Sequence, residues 1–574
     1  MVATTRRDAL VTLPRGESQT ATLSGAQMVC ESLLREGVEV IFGYPGGQII
    51  PLYHALPEYP LKHVLVRHEQ AAAHAADGYA RATGRVGVCF ATSGPGATNL
   101  VTGLATAYLD SSPVVAITGQ VPTGLLGKHA FQEVDICSIT QTITKANFLV
   151  TSTAEVGPTI RKAFRVAASG RPGPVLVDLP RDVQQSRGPF LYPEERAAAD
   201  FRPRLAGDPR QLARTADLLR RAKRPLLLAG QGVSLSCAEQ ELLRLAEAAH
   251  LPVVSTLLGL GTFPGSHPLY FGLIGMHGRT YANRALTQCD LLLAVGTRLG
   301  DRTTGKASAF AEQAKVVHVD VDPVELGKNV KVDVPIVGDV RAVLQALLRA
   351  DVAGEHEEWL GTLAAWRAEG APRRQRTGGY LLPQAVIAAL YRETKGEAII
   401  VTDVGQHQLW AAQHYVYERP RSYLSSGGLG TMGFGLPAAL GAKFGRPGTP
   451  VWAICGDGSI QMNIQELATL AQEGAAVKVV VFNNGYLGMV RQWQELFYER
   501  RYSSTPIAGP DFVRVGEAYG VPARRVEREE EVAEALRWAS QVDGPALLEF
   551  LIEPEENVYP MVPPGGTLAE TMEG

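Results

Sequence analysis

The 574 residues predict an α/β protein made of three doubly wound parallel-sheet domains. Short β-branched runs such as Val86–Phe90, Val114–Thr118, Leu291–Val295 and Val477–Phe482 recur along the chain. Between them lie amphipathic stretches such as 239–249, where Leu242, Leu245, Ala246 and Ala249 share one helix face. The strand runs are apolar without alternation, as in parallel strands covered on both faces. The length is too great for a single core.

Each part follows from composition. Residues 1–20 mix Arg, Asp and Glu without an apolar core, which predicts a flexible N-terminal tail. The first domain spans 21–190, the central one 205–350, and the last 375–574, including a C-terminal tail. The segments 186–211 and 350–379, rich in Pro, Arg and Glu or ending in GAPRRQRTGG, read as surface linkers. Lys plus Arg total 55 against 58 Asp plus Glu, a net charge of −3, which argues against nucleic-acid binding. No stretch approaches about 18 consecutive apolar residues, so no membrane span is expected. Six scattered cysteines with no C-x-x-C pair suit reduced thiols and a cytoplasmic protein.

The segment VWAICGDGSIQMNIQELATLAQEGAAVKVVVFNNGYLGMV reads as strand, glycine-rich turn, helix and strand. Parallel strands joined by one crossover helix end on the same sheet edge, where ligands bind. Asp457 and Asn484 are therefore brought together although 27 residues apart. A carboxylate with an amide oxygen is hard-oxygen chemistry suited to Mg²⁺, and Gly456 and Gly458 let backbone approach a phosphate. The plain alternative is a tight turn followed by a strand exit.

With G-D-G-S and this spacing of N-N, the chain resembles the thiamin-diphosphate enzymes. The resemblance implies a metal held by Asp457, Asn484 and the backbone oxygen of Tyr486, with the diphosphate against Gly458 and Ser459. It makes the first domain the thiamin pyrimidine-binding one and the last the diphosphate- and Mg²⁺-binding one. In the first domain RHEQ followed by HAADGYAR resembles the family's catalytic-glutamate segment, with Glu69 against the aminopyrimidine. A Glu there would otherwise serve the helix dipole, worth about 0.3–1 kcal/mol. The loop TSGPGATN (92–99) opens a helix after a strand and is read as packing around the site.

Four further strings, FGYPGGQIIPLY, GQVPTGLLGKHAFQE, SSGGLGTMGFGLPAA and GMVRQWQ, resemble the large catalytic subunit of acetohydroxyacid synthase, or acetolactate synthase. This likeness runs from about Leu23 to the C-terminal NVYPMVPPGG. It implies pyruvate decarboxylation and carboligation to a second 2-keto acid, giving 2-acetolactate, or 2-aceto-2-hydroxybutyrate from 2-oxobutyrate, in branched-chain amino-acid biosynthesis. By resemblance Gln406, Gly430 and Met432 contact the thiamin cofactor. Val121, Phe131, Gln132 and Met489 line the substrate channel, and Trp493 favours 2-oxobutyrate as acceptor. An isolated Trp on a helix would otherwise be read as core.

The central domain places Gly or acidic residues at strand ends but has no clean G-x-G-x-x-G, so plain loop turns remain the alternative. The resemblance makes it a structural, non-redox FAD domain. Its contacts would be Arg171, Gly230, Gln231, Gly232, Thr256, Leu257, Met276, His277, Gly296, Arg298, Asp320 and Asp339. Gln48, His129, Arg181 and Gly300 depart from the family pattern. The first three bear on substrate preference and inhibitor sensitivity, and Gly300 on an FAD contact.

A homodimer or tetramer and a small regulatory subunit are implied by the family alone. The competing readings are a catabolic, FAD-independent acetolactate synthase, another thiamin-dependent 2-keto-acid lyase or oxidase, and a non-catalytic scaffold or regulatory paralogue.

Overall fold

The computed structural model describes residues 22–193, 206–369 and 379–574. The expected tail at 1–20 and parts of both expected linkers lie outside the described residues. The described residues form two compact units, one of residues 22–193, 428–447 and 463–475 and one of the remaining described residues. Among the described residues are three six-stranded parallel sheets, as the unalternating apolar runs require.

The first unit holds a sheet ordered Lys62–Leu65, Val40–Gly43, Gly87–Ala91, Val114–Gln120, Val175–Pro180, Ala146–Leu149. Numbered along the chain this is 2-1-3-4-6-5, with its switch point between the strands Val40–Gly43 and Gly87–Ala91. The Ala-rich helix Glu69–Thr83 starts four residues beyond the strand Lys62–Leu65 and is capped by the His68 side chain. Its small residues let the helix Gly435–Gly445 approach closely: a Cβ at Gly78 would lie 2.7 Å from the Ala438 Cα, and one at Gly441 2.9 Å from the Ala75 Cα. Buried Arg81 pairs with Asp77 (2.6 Å) and Asp110 (2.9 Å). Breaking such a buried network by removing one partner costs about 3–5 kcal/mol. Where the sequence suggests a linker beginning at Ser186, the strand Arg187–Pro189 pairs antiparallel with Thr22–Ser24.

The second unit contains two sheets. One is ordered Tyr270–Leu273, Val253–Ser255, Pro225–Ala229, Leu291–Val295, Lys315–Asp320, Val334–Val337, which is 3-2-1-4-5-6 in chain terms. That is the dinucleotide-binding strand order. The other runs Tyr423–Leu424, Ile399–Thr402, Val451–Gly456, Val477–Asn483, Ala546–Leu551, Ala523–Val526, again 2-1-3-4-6-5.

The second expected linker is partly helical. Residues Glu357–Glu369 form a helix with Trp359 buried, its indole N–H donating to the Pro225 carbonyl at 3.0 Å. Trp366 meets Trp359 edge-on and is covered by the Arg284 guanidinium at 4.1 Å. Trp359 and Leu363, with Leu360 and Trp366 beside them, supply the apolar face that docks this helix, which its polar end obscures in the sequence. The C-terminal stretch reaches the central sheet: the Val562 N–H donates to the Met276 carbonyl at 2.7 Å, and Leu568 is buried in that sheet's apolar cluster. Among the described residues no helix is long and apolar enough to cross a membrane.

Candidate active site

The GDG segment forms a single helical turn, Asp457–Ile460, directly after the strand Val451–Gly456. The Ser459 hydroxyl closes this turn, accepting the Gly456 N–H at 3.0 Å. The next strand in the sheet, Val477–Asn483, delivers Asn484–Tyr486 to the same edge, as the crossover argument requires. The contact is direct, since Asp457 Oδ2 accepts the Gly485 N–H at 2.9 Å. Asn484 Oδ1 accepts the Tyr486 N–H at 3.1 Å, holding that turn.

Asp457 is 2% exposed, and among the described residues it forms no ion pair with Lys, Arg or His. Burial pushes its pKa up to about 7, against the lowering effect of the Gly485 and Gly458 amides. A buried carboxylate without a countercharge is costly. This donor set, carboxylate plus amide oxygen, fits a divalent cation of the Mg²⁺ type.

Gln406 begins the helix Gln406–His414, across the switch point of this sheet, and is buried. Its amide nitrogen donates to Gln492 Oε1 and to the Glu556 carbonyl, both at 2.9 Å, while its Oε1 is 3.4 Å from Asn484 Nδ2. Gly488 makes this possible, because a Cβ there would stand 2.8 Å from Asn484 Nδ2. Gln492 and Glu556 were not foreseen as neighbours of Gln406. Gln492 lies inside GMVRQWQ, but nothing in the sequence ties it to residue 406. Met489 and Trp493 lie on the same helix, Gly488–Phe497, both half-buried.

In the first unit Glu69 is half-buried at the first position of its helix. Its Oε2 accepts from Asn99 Nδ2 at 2.9 Å, and its Oε1 would stand 3.2 Å from a Cβ on Gly96. The loop 92–99 therefore packs on Glu69. The same loop meets Gln132, whose Cα would be 3.0 Å from a Cβ on Gly94. Gln132 and His129 both take positive φ, 62° and 53°. Between them Phe131 is 84% exposed, whereas Val121 is buried. Gly430 and Met432 lie in the segment tied down by the Gly428 N–H to Asp110 Oδ1 (2.7 Å) and by Thr431 to Thr106 (2.7 Å).

Nearly all the dinucleotide candidates gather at the carboxyl edge of the central sheet. Gly230, Gln231 and Gly232 follow the strand Pro225–Ala229; Gly296 and Arg298 follow its neighbour Leu291–Val295. These two loops flank the topological switch point, the place where sheets of this order bind dinucleotides in general. They touch, since a Cβ at Gly232 would lie 2.5 Å from the Gly296 Cα. Thr256 and Leu257 follow Val253–Ser255, Met276 and His277 follow Tyr270–Leu273, and Asp320 ends its own strand.

Burial lowers the His277 pKa to about 4, so the ring is neutral, with Nδ1 3.2 Å from the Pro560 carbonyl oxygen. Asp339 caps the helix Val340–Leu348, accepting the Ala342 N–H at 3.2 Å and the Ser236 hydroxyl at 2.6 Å. Arg171 belongs to the first unit, where its Nε donates to the Ser111 hydroxyl at 2.8 Å.

Among the departures, the Gln48 carbonyl accepts from Gln184 Nε2 at 2.8 Å. Arg181 opens the short helix Arg181–Gln185. A Cβ at Gly300 would meet nothing within 4 Å, so a larger residue has room there.

Three family models match successive stretches of the chain. The thiamine pyrophosphate enzyme families match in order: the N-terminal TPP binding domain over 23–139, the central domain over 212–347, and the C-terminal TPP binding domain over 403–550. The chain is 48% identical over 565 residues to the probable acetolactate synthase large subunit of Methanocaldococcus jannaschii, covering 96% of this chain and 95% of that protein. It is 51% identical over 558 residues to the acetolactate synthase of Mycobacterium bovis, covering 95% and 90%. To the acetolactate synthase large subunit of Corynebacterium glutamicum it is 49% identical over 559 residues, covering 95% and 89%.

Proposed function

We propose a reaction and a division of labour from one premise: the chain belongs to the acetolactate synthase family of thiamine pyrophosphate enzymes. It decarboxylates pyruvate and joins the remaining two-carbon unit to a second 2-keto acid, pyruvate giving 2-acetolactate and 2-oxobutyrate giving 2-aceto-2-hydroxybutyrate. The observation that carries this reading is the buried Asp457 carboxylate, facing the Asn484–Tyr486 turn with no basic side chain against it among the described residues.

Thiamin diphosphate, when bound, supplies the electron sink for loss of CO₂ and for the carboligation. Asp457, Asn484 and the Tyr486 carbonyl would hold Mg²⁺, and the Gly458 and Ser459 backbone would meet the diphosphate. Gln406, Gly430 and Met432 would fix the cofactor's position. Glu69, oriented by Asn99, would hold the proton on the aminopyrimidine ring nitrogen. Val121, Phe131, Gln132 and Met489 would line the approach for the keto acids, with Trp493 selecting the acceptor. Exclusion of water from the reacting centre would be left to the buried walls around Gln406.

The central sheet would hold FAD in a structural role. Its 3-2-1-4-5-6 order and the paired glycine loops at its switch point support this. A homodimer or tetramer and a small regulatory subunit accompany the reading. The large-subunit names of the relatives support the regulatory partner.

Product analysis tests it. With pyruvate and 2-oxobutyrate together, and thiamin diphosphate, Mg²⁺ and FAD supplied, both acetohydroxy acids and CO₂ should appear. Acetate or acetyl phosphate in their place would make the protein an oxidase, and absence of CO₂ would make it non-catalytic.

A further inference from the structure

Glu466 is completely buried and opens the helix Glu466–Glu473, and its carboxylate reaches beyond that helix. Its Oε1 accepts the Arg67 N–H at 2.9 Å, and its Oε2 accepts the Thr469 hydroxyl at 2.7 Å. The His68 amide is directed at the same carboxylate. These are the backbone N–H groups of the bend between the strand Lys62–Leu65 and the helix that starts at Glu69.

Other contacts hold the same bend. Arg67 donates to the Leu65 carbonyl (2.8 Å) and to Gln472 Oε1 (2.7 Å). Lys62 pairs with Glu473 at 2.6 Å. The Arg67–Gln472 bond is exposed, and the buried Thr469 hydroxyl also donates to the Leu65 carbonyl at 3.4 Å. Among the described residues, Glu466 reaches the main chain one and two residues before Glu69 from the inside. A fully buried carboxylate is expensive, and burial pushes this one up to about 7. An apolar residue would fill the space at lower cost, so the acceptor function explains why a carboxylate stands here.

We propose that Glu466 is a positioning residue for Glu69, fixing the backbone from which the Glu69 carboxyl is aimed. The inference rests on the role of Glu69 given above. Glu466 touches no reacting atom; its effect passes through the Arg67–His68 amides. Displacement of a catalytic group by about 1 Å is enough to cost on the order of 10²-fold in rate.

Three variants test it in the full-length protein, read by turnover and by backbone amide exchange of the cofactor-free protein. Glu466→Ala removes both acceptors: kcat for CO₂ release should fall on the order of 10²-fold with little change in KM for pyruvate, and exchange across 66–70 should accelerate. Glu466→Gln keeps one neutral acceptor at the same place and should recover about tenfold of that loss. Glu69→Gln should abolish turnover while leaving exchange at 66–70 as in the wild type.

If the Ala variant exchanges rapidly in every sheet it has lost its fold, and the Gln variant then decides, by a lowered kcat with a normal melting temperature. Wild-type kcat and exchange in both Glu466 variants, with Glu69→Gln inactive, overturn the positioning role and leave that of Glu69 standing. Turnover surviving in Glu69→Gln overturns both.

Discussion

Trp493 projects from the helix Gly488–Phe497 with its ring 5.7 Å from that of Phe497, edge-on, and 5.8 Å from the Arg302 guanidinium. It is half-buried, so it is not the core aromatic that an isolated helical Trp suggests. Part of its surface is free for a ligand. The two acceptors differ by one methylene, so packing on this ring can discriminate by about 1–3 kcal/mol. Trp493→Leu should therefore lower the ratio of 2-aceto-2-hydroxybutyrate to 2-acetolactate in competition by about tenfold or more, leaving acetolactate formation nearly unchanged. Equal loss of both products would place Trp493 outside acceptor selection.

Asp178 shows a buried acid with a different consequence. It accepts from Thr118 Oγ (2.7 Å) and Gln120 Nε2 (2.9 Å), but burial outweighs both bonds, with Asp135 adding to the rise, and its pKa is pushed up to about 7. The folded state therefore binds this proton more tightly than the unfolded one, whose pKa is about 3.9. Stability drains away as pH climbs from about 4 to about 7 and stays reduced above that. Asp178→Asn removes the penalty, so its melting temperature relative to wild type should be more favourable at pH 8.5 than at pH 5. The ceiling is a few kcal/mol, at about 1.4 per pKa unit. A pH-independent difference would refute the assignment.

At the scale of elements, the strands were legible in the sequence because two-sided burial leaves unbroken apolar runs, such as Val477–Phe482. The meeting of Asp457 with the Asn484–Tyr486 turn was legible too, since one crossover fixes where the two segments end. The helix Glu357–Glu369 was not: Trp359, Leu363 and Trp366 make a short apolar face, but the charged run after it dominates composition. Nor were the neighbours of Gln406, because Gln492 and Glu556 come from 86 and 150 residues away and pair by amide hydrogen bonds that leave no periodic mark.

Helix crossings are a third such case. In isolation Gly441 looks like a weak point in the helix Gly435–Gly445, where Ala would gain about 1 kcal/mol of helix propensity. The crossing reverses the sign, because an added Cβ runs into backbone atoms of Ala75 that no side-chain rotation can clear. Overpacking of this kind costs about 1–3 kcal/mol or more. Gly361, exposed in the helix Glu357–Glu369 with nothing within 4 Å of an added Cβ, is the control. Denaturant midpoints should rise for Gly361→Ala and fall for Gly441→Ala; shifts of the same sign would show that the crossing is not tight.

Across the molecule, the three sheets are not equivalent. The first and third share the order 2-1-3-4-6-5, while the central one is 3-2-1-4-5-6. Among the described residues, only in the central sheet do two loops with close backbone contact, 230–232 and the one at Gly296, follow adjacent strands at the switch point of a dinucleotide-type order. The central candidates His277, Asp320 and Asp339 supply a neutral ring, a strand-end acid and a helix cap. A flavin held there would act as a folding ligand. Stripping it should lower the melting temperature, and restoring FAD to about 100 times its Kd should return about 2.7 kcal/mol. For a region of 150–250 residues that is a shift on the order of 5–10 °C, at about 2–4 °C per kcal/mol. The flavin absorbance should stay oxidised while pyruvate is consumed. A melting temperature indifferent to FAD would remove the structural role, and bleaching in step with turnover would replace it with a redox one.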